Sequence, residues 1–278
     1  MNNTTLRELQ LTQLEILEIV DEMCRRNHIS YSLYAGTLLG AVRHQGFIPW
    51  DDDLDICMLR SDYERFLECW KEKPVAGYLL QNKETDPDFT QSFSKIRKDH
   101  TTFLQPGEET YKYHKGIFID IFPIDRIPAT ALLRRAYQME CMVYQLFTRE
   151  FLPLDASKRK RVFASLLLGC ANPTIRRMIR QQLHKNITQY SENPKLQTIA
   201  VETESTIHQP LPAYLMNDFT TLQFEGKHFM CTKYWDEYLQ LKYGDYMKLP
   251  PESERVWKHK PLIIDFERNY EEIEKINV

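Results

Sequence analysis

The sequence predicts an α/β (α+β) protein in which a core of mixed sheet and helices is followed by a helical insertion. Three observations carry this. Ile29, Tyr31, Leu33 and Ala35 alternate with Ser30, Ser32 and Tyr34, the period of a strand, and run straight into Gly36-Thr37-Leu38-Leu39-Gly40. A second strand candidate, Asp53 to Met58, and an apolar one, Gly116 to Phe122, each carry carboxylates. From about Thr130 to Tyr190 the pattern turns helical.

The elements follow in order. Thr5-x-x-Glu8 reads as a capping box, and Leu6, Leu9, Leu14, Leu17, Val20 and Cys24 recur at helical spacing behind it. After the strand at 29–35, Gly36-Thr37 marks a strand-to-helix junction. Ser61-x-x-Glu64 is expected to cap a helix reaching about Trp70, with strands around Tyr78–Leu80, Phe93–Arg97 and Gly116–Phe122. Pro173, after Asn172, is placed as the first residue of a helix. Leu222 to Lys227 carries a hairpin signal, Tyr234–Lys242 a helix, and Leu249–Pro261 is rich in Pro, Arg and His. The expected division is 1–128, a core with an N-terminal helix; 129–200, helical and basic; and 201–278, a C-terminal segment that completes the site.

With 278 residues the chain can bury about three quarters of its unfolded surface without a disulfide or metal staple. Hydrophobic residues at 42% and charged residues at 27% exclude intrinsic disorder. Thirty-six basic against 39 acidic side chains leave a net charge of −3, so no nucleic-acid partner is expected. The N-terminus shows no basic region leading into an apolar core, and the longest apolar run, Val162 to Ala171, falls short of the ~20 residues of a spanning helix. A cytoplasmic location is the expectation. Cysteines 24, 57, 69, 141, 170 and 231 form no C-x-x-C pair and read as reduced thiols. Residues 134–185 hold 11 Lys or Arg against three Asp or Glu. That excess reads either as a solvated helical face or as contact with an anionic membrane or a lipid-linked acceptor.

The chemistry concentrates in Trp50-Asp51-Asp52-Asp53-Leu54-Asp55-Ile56. Carboxylates this close repel one another and cost stability unless a cation neutralises them. On a strand, Asp53 and Asp55 would share one face, about 7 Å apart, while Leu54 and Ile56 point into the core. Asp120, alone in the apolar run 116–122, would join them if the two strands are neighbours. Such a three-carboxylate set holds Mg²⁺ or Mn²⁺ and supports in-line phosphoryl displacement. Gly36 and Thr37, at a helix N-terminus, suit a phosphate. The order strand, Gly-Thr helix, Asp-x-Asp strand, third Asp strand is the layout of the polymerase-β-like nucleotidyltransferase fold.

The run from Tyr34 to Ile56, including Gly36-Thr37-Leu38-Leu39-Gly40, Arg43 and Pro49-Trp50-Asp51-Asp52-Asp53, resembles the signature of the LicD family, which includes bacterial phosphocholine transferases and the fukutin group. The resemblance continues at Lys95-Ile96-Arg97, Asp120–Asp125, Phe224-Glu225-Gly226, Tyr243–Met247 and Pro250-Pro251, spanning roughly 30–262. The family commonly closes with a His pair after Arg-Val. Here the segment reads Arg255-Val256-Trp257-Lys258-His259, and only the second position matches.

The resemblance implies transfer of phosphocholine, or a related phospho-alcohol, from a CDP-linked donor (CDP-choline foremost) to a glycan or lipid-linked glycan acceptor such as lipopolysaccharide or teichoic acid. Asp53, Asp55 and Asp120 would be catalytic metal ligands. Arg43, Lys95 and Arg97 would be phosphate clamps, unless they are ordinary solvated cations. Trp50 would pack beneath the site or face a quaternary ammonium, with Tyr111, Tyr113 and Trp257 as weaker aromatic candidates. His259 would be a phosphate donor or acid–base group, or a plain surface histidine. Asp125 would back Asp120 or start the turn before Pro128. The competing readings are a nucleotidyltransferase releasing pyrophosphate from an NTP, an inactive binding module, and, less well matched, a glycosyltransferase.

Overall fold

A computed structural model of the chain describes residues 3–150, 158–169, 171–203 and 207–276. Helix α1 (Asn3–Arg26) buries Leu6, Leu9, Leu14, Leu17, Val20 and Cys24 on one stripe. It starts ahead of Thr5, so the expected capping box lies inside the helix rather than at its end. Strand β1 is only Ser32–Leu33, because helix α2 (Ala35–His44) already begins at Ala35 with Tyr34 extended at its N-cap. Strand β2 (Asp55–Leu59) begins at Asp55, which leaves Asp53 in the loop before it. Helix α3 (Arg60–Glu72) follows with Leu59 at the N-cap and no side-chain cap, so Ser61 does not serve as one.

Strands β3 (Tyr78–Gln81), β4 (Ser94–Lys98), β5 (Thr102–Leu104) and β6 (Phe118–Arg126) complete the first half. Helices α4 (Ala131–Arg149), α5 (Lys158–Gly169) and α6 (Pro173–Thr188) form the insertion. As expected, Pro173 opens α6, and the Asn172 side chain accepts a hydrogen bond from the Ile175 N–H at 2.9 Å. The chain then forms β7 (Thr198–Ala200), β8 (Leu211–Pro212), β9 (Phe219–Phe224), β10 (Lys227–Thr232), α7 (Trp235–Tyr243), β11 (Ile263–Asp265) and α8 (Tyr270–Ile276).

The main sheet runs β1-β2-β6-β4-β3, with β7 on β6 and β8 on β7. The β2–β6 pair is parallel and the others are antiparallel. Its register sets Asp55 beside Asp120, and Lys95 of β4 beside Asp120 from the other side. Strand β6 extends past the predicted end at Phe122, so Asp125 sits within a strand instead of starting a turn. Its buried carboxylate takes both Arg60 Nε (2.8 Å) and a terminal Arg60 nitrogen (2.7 Å), and accepts from Ser191 Oγ at 2.6 Å. That bridge ties α3 to the central strand.

One large apolar cluster joins α1, α2, the sheet and the β9–β10 hairpin. The insertion helices bury smaller clusters of their own, such as Leu146, Phe147, Ala164 and Leu168. Glu225 and Gly226 at the hairpin tip both have positive φ, 52° and 77°, the conformation a two-residue turn requires. The Glu225 carboxylate accepts from Arg7 of α1 and from the Phe47 N–H at 3.1 Å. A side chain at Gly46 would collide with it. The Phe224-Glu225-Gly226 triplet therefore clamps the hairpin onto α1 and the turn after α2. The five cysteines among the described residues are free thiols, and Cys170 lies outside them. No helix among the described residues is long and apolar enough to cross a membrane.

Glu202, just past β7, is buried, and burial pushes its carboxyl up to about 7 from the ordinary 4.5. A raised carboxyl binds a proton in the folded state that the unfolded chain has released. Its contribution to stability is thus complete below about pH 4.5 and is lost as the pH climbs to about 7. Glu202→Gln should remove that loss. Urea midpoints measured at about pH 5 and about pH 8 should show the variant gaining on the parent protein at the higher pH.

Candidate active site

The Asp loop is held by its backbone. Gln10 and Gln13 lie buried on the inner stripe of α1. Gln10 Nε2 donates to the carbonyls of Asp51 (2.9 Å) and Ile48 (3.3 Å); Gln13 Nε2 donates to those of Asp52 (3.0 Å) and Phe118 (3.3 Å). From the other side, the Asp55 N–H donates to Thr37 Oγ1 at 2.8 Å and the Tyr34 N–H to the Asp55 carbonyl at 3.0 Å. The Asp120 N–H donates to the Leu54 carbonyl at 2.9 Å. Leu54 and Ile56 point into the core as the alternation requires.

With the backbone fixed, each carboxylate meets different neighbours. Asp51 is buried above Gly36, where a Cβ would stand 2.7 Å from its Oδ2. Burial, reinforced by the charges of Asp53 and Asp52, pushes its carboxyl up to about 7, against the opposing pull of Lys258. The group beside the start of α2 in this structure is the Asp51 carboxyl, and the Thr37 hydroxyl is engaged with β2. Asp52 is equally buried but accepts from the His259 N–H at 2.8 Å and the Lys258 N–H at 3.4 Å. Burial works against its ionisation, yet His259 and these backbone donors hold its carboxyl below the ordinary range. Asp53 is raised, first by burial and further by Asp52 and Asp120, while His259 and Lys258 pull the other way. Asp120 takes a 2.6 Å ion pair from Lys95, whose ammonium sits 3.4 Å above the Phe118 ring. Burial lowers the Lys95 pKa and Asp120 opposes that.

The structure therefore gathers Asp53, Asp55, Asp120, Lys95 and His259. The His259 Nδ1 lies 3.4 Å from Asp52 and 3.7 Å from Asp53, and one ligand atom from each of Asp52, Asp53 and His259 fits within 4.8 Å of the others. Asp52 is already occupied by backbone donors, so it positions the C-terminal segment. Asp55 and Asp120 stand side by side on β2 and β6 with Asp53 in the loop before them, and their carboxylates are hard oxygen donors of the kind Mg²⁺ or Mn²⁺ takes.

Arg43 lies at the rim. It donates to the Tyr246 carbonyl at 2.9 Å, and burial lowers its pKa while Asp51 pulls it up. Trp50 has the Arg255 guanidinium 5.4 Å above its ring, a cation–π contact on the face expected for a quaternary ammonium. Trp257 packs half-buried against the core. Arg97 is enclosed: it donates to Gln81 Oε1 at 2.5 Å and to the Gly116 carbonyl at 2.6 Å and lies over Phe118, bracing β3 against the segment before β6. Tyr113 stacks on Tyr111 and donates to Glu108 at 2.9 Å, on the Arg97 side. Sequence reasoning missed Gln10 and Gln13; the available signal was two amides three residues apart within the apolar stripe of α1.

Residues 28–156 match the family described as LicD/FKTN/FKRP, nucleotidyltransferase domain. The chain is 30% identical over 272 residues to the lipopolysaccharide cholinephosphotransferase LicD of Haemophilus influenzae, covering 93% of this chain and 97% of that protein. The chain belongs to the LicD family. Shorter stretches match uncharacterized proteins of Rickettsia prowazekii (48% over 70 residues, 25% of this chain and 26% of that protein) and Rickettsia typhi (38% over 74 residues, 27% and 24%). The family segment contains all the clustered aspartates, whereas the His259 arm lies beyond it and reaches the site through Asp52.

The neighbouring aspartates should respond oppositely to neutral substitution. Asp52→Ala strips the acceptor from two backbone donors and should lower metal-free stability by about 1–3 kcal/mol. Asp53→Asn removes one repelling charge and should leave stability unchanged or raised. Urea unfolding in chelator would show both signs.

Proposed function

We propose that this LicD-type transferase moves phosphocholine from CDP-choline to a hydroxyl of a lipopolysaccharide-type glycan or its lipid-linked precursor, or of a teichoic acid. The observation that carries the reading is the parallel register setting Asp55 beside Asp120, with Asp53 two residues upstream. The full-length similarity to a cholinephosphotransferase supports the transferred group.

The acceptor oxygen attacks the choline-bearing phosphorus. A new O–P bond forms, the bond to the CMP oxygen breaks, CMP leaves with the electron pair, and the hydroxyl proton is released. Asp53, Asp55 and Asp120 would hold Mg²⁺ or Mn²⁺, which when bound lowers the acceptor hydroxyl's pKa and neutralises diphosphate charge. Lys95 fixes the Asp120 carboxylate and supplies a positive edge. Arg43 and Lys258 add positive charge around Asp51. His259, held by its own N–H on Asp52, is placed to take the hydroxyl proton. Gly36 and Thr37 set the approach of α2 to the Asp loop, and Arg97 braces the sheet that carries Lys95. Trp50 is the face for the choline ammonium, entered by displacing Arg255. We place the enzyme in the cytoplasm, where CDP-linked donors are made, working at the inner membrane face that presents the acceptor.

The test is CMP release from CDP-choline, CDP-ethanolamine, CDP-glycerol and CDP-ribitol with Mg²⁺ or Mn²⁺. CDP-choline should be turned over, and Asp55→Asn and Asp120→Asn should lose activity by orders of magnitude while staying folded. Pyrophosphate release from an NTP instead would make the chain a nucleotidyltransferase, and inertness toward every donor would make it a binding module. Trp50→Leu should weaken CDP-choline relative to CDP-glycerol by about 0.5–2 kcal/mol, read from KM.

A further inference from the structure

Helices of a globular protein bury one apolar stripe and turn polar residues outward. Helix α4 does both and more. Tyr137 and Cys141 face inward, yet Leu132, Met139 and Met142 are 79%, 59% and 54% exposed. With Arg135 these three lie at helical spacing on one outer stripe. One turn further along that stripe, Leu146 is buried against Ala164 and Leu168 of α5. Helix α5 therefore covers the end of the stripe, and its own outward Val162 and Leu166, 61% and 62% exposed, line a groove with Arg161 and Ser165. On α6, Ile179 packs inward while Met178 stands out at 63% exposed beside Arg177.

The same three helices carry the basic excess of 11 Lys or Arg against three Asp or Glu over 134–185. Two of those acids are engaged: Glu150 pairs with Arg176 at 2.8 Å, and Glu140 accepts from Asn186 at 3.0 Å. Large apolar side chains set beside Arg135, Arg161 and Arg177 match an anionic bilayer surface, where the apolar groups enter the headgroup–acyl boundary and the cations meet lipid phosphates. A second copy of the chain is the poorer occupant, because it would set two such basic faces against each other.

We propose that the outer face of α4, α5 and α6 is a membrane-docking surface for anionic phospholipid. It deepens the function proposed above, resting on that reading only for the claim that the acceptor is lipid-linked. The catalytic cluster does not share any of these residues.

Co-sedimentation of the full chain with vesicles tests it. Binding is expected to vesicles of phosphatidylcholine mixed with phosphatidylglycerol, not to phosphatidylcholine alone, and should fall about tenfold or more from low to high salt. The double variant Val162→Asp, Leu166→Asp and the variant Met139→Ser should each weaken binding, the first by about tenfold or more, with unchanged thermal unfolding. CMP release with a water-soluble acceptor should be unaffected by either variant. Absence of vesicle binding, equal binding to neutral vesicles, or undiminished binding by the variants would overturn the proposal. So would a dimer in sedimentation velocity that these substitutions dissociate. Vesicle binding without any CMP release would instead refute the transferase reading and leave the docking surface standing.

Discussion

The burial of several carboxylates side by side is the constraint on which the site depends. Asp51, Asp52, Asp53, Asp55 and Asp120 come together where α1, α2 and the parallel β2–β6 pair meet, and the backbone between them is tied at nearly every residue. Amides from α1, a hydroxyl from α2 and the ladder to β6 hold the loop backbone in place and keep the aspartates neighbours. Adjacent groups then diverge. Asp51 is pushed up by burial and by Asp53 and Asp52, and Asp53 by burial and by Asp52 and Asp120, while the His259 ring and two backbone donors hold Asp52 down. In the proposed reading a bound cation would offset the repulsion among these carboxylates.

The last third of the chain completes what the first half begins. The Glu225-Gly226 turn locks onto α1 and Gly46. The Tyr246 carbonyl takes Arg43, Arg255 lies across Trp50, and the 258–259 backbone caps Asp52. The family's scattered motifs beyond residue 200 are thus contacts with the Asp loop and α2 rather than a separate site. The His259 arm is the segment that places a titratable ring and Lys258 beside the carboxylates, and it is anchored by backbone rather than by side chain alone.

Much of this was legible in the sequence because it rests on local pattern. The alternation at 29–35 and 53–58, the lone carboxylate in 116–122, Asn172-Pro173 and the hairpin at 222–227 all mark real elements, and the two Asp strands are neighbours, the condition under which Asp120 joins Asp55, while their register is visible only in the structure. The misplaced boundaries share one cause. Extrapolating the strand back to Asp53 ignored the α1 amides that pull 51–54 into a loop, and reading Ser61 as a cap ignored Arg60, which is committed to Asp125. Both depend on partners distant in sequence. Arg97 reads as a clamp because it matches a motif position of the family, but Gln81, Gly116 and Phe118 enclose it. The β5–β11 pair joins residues far apart in the chain and left no short-range signal.

We propose that Asp53, Asp55 and Asp120 form one cation site. It is tested most directly by thermal unfolding with and without Mn²⁺, comparing the native chain with Asp55→Asn and Asp120→Asn. Binding to the folded state alone raises stability by about 2.7 kcal/mol at a hundredfold excess over Kd. The account predicts a clear rise in Tm for the native chain and little or none for either variant. A native chain indifferent to Mn²⁺ and Mg²⁺, or variants stabilised as strongly as the native chain, would contradict it.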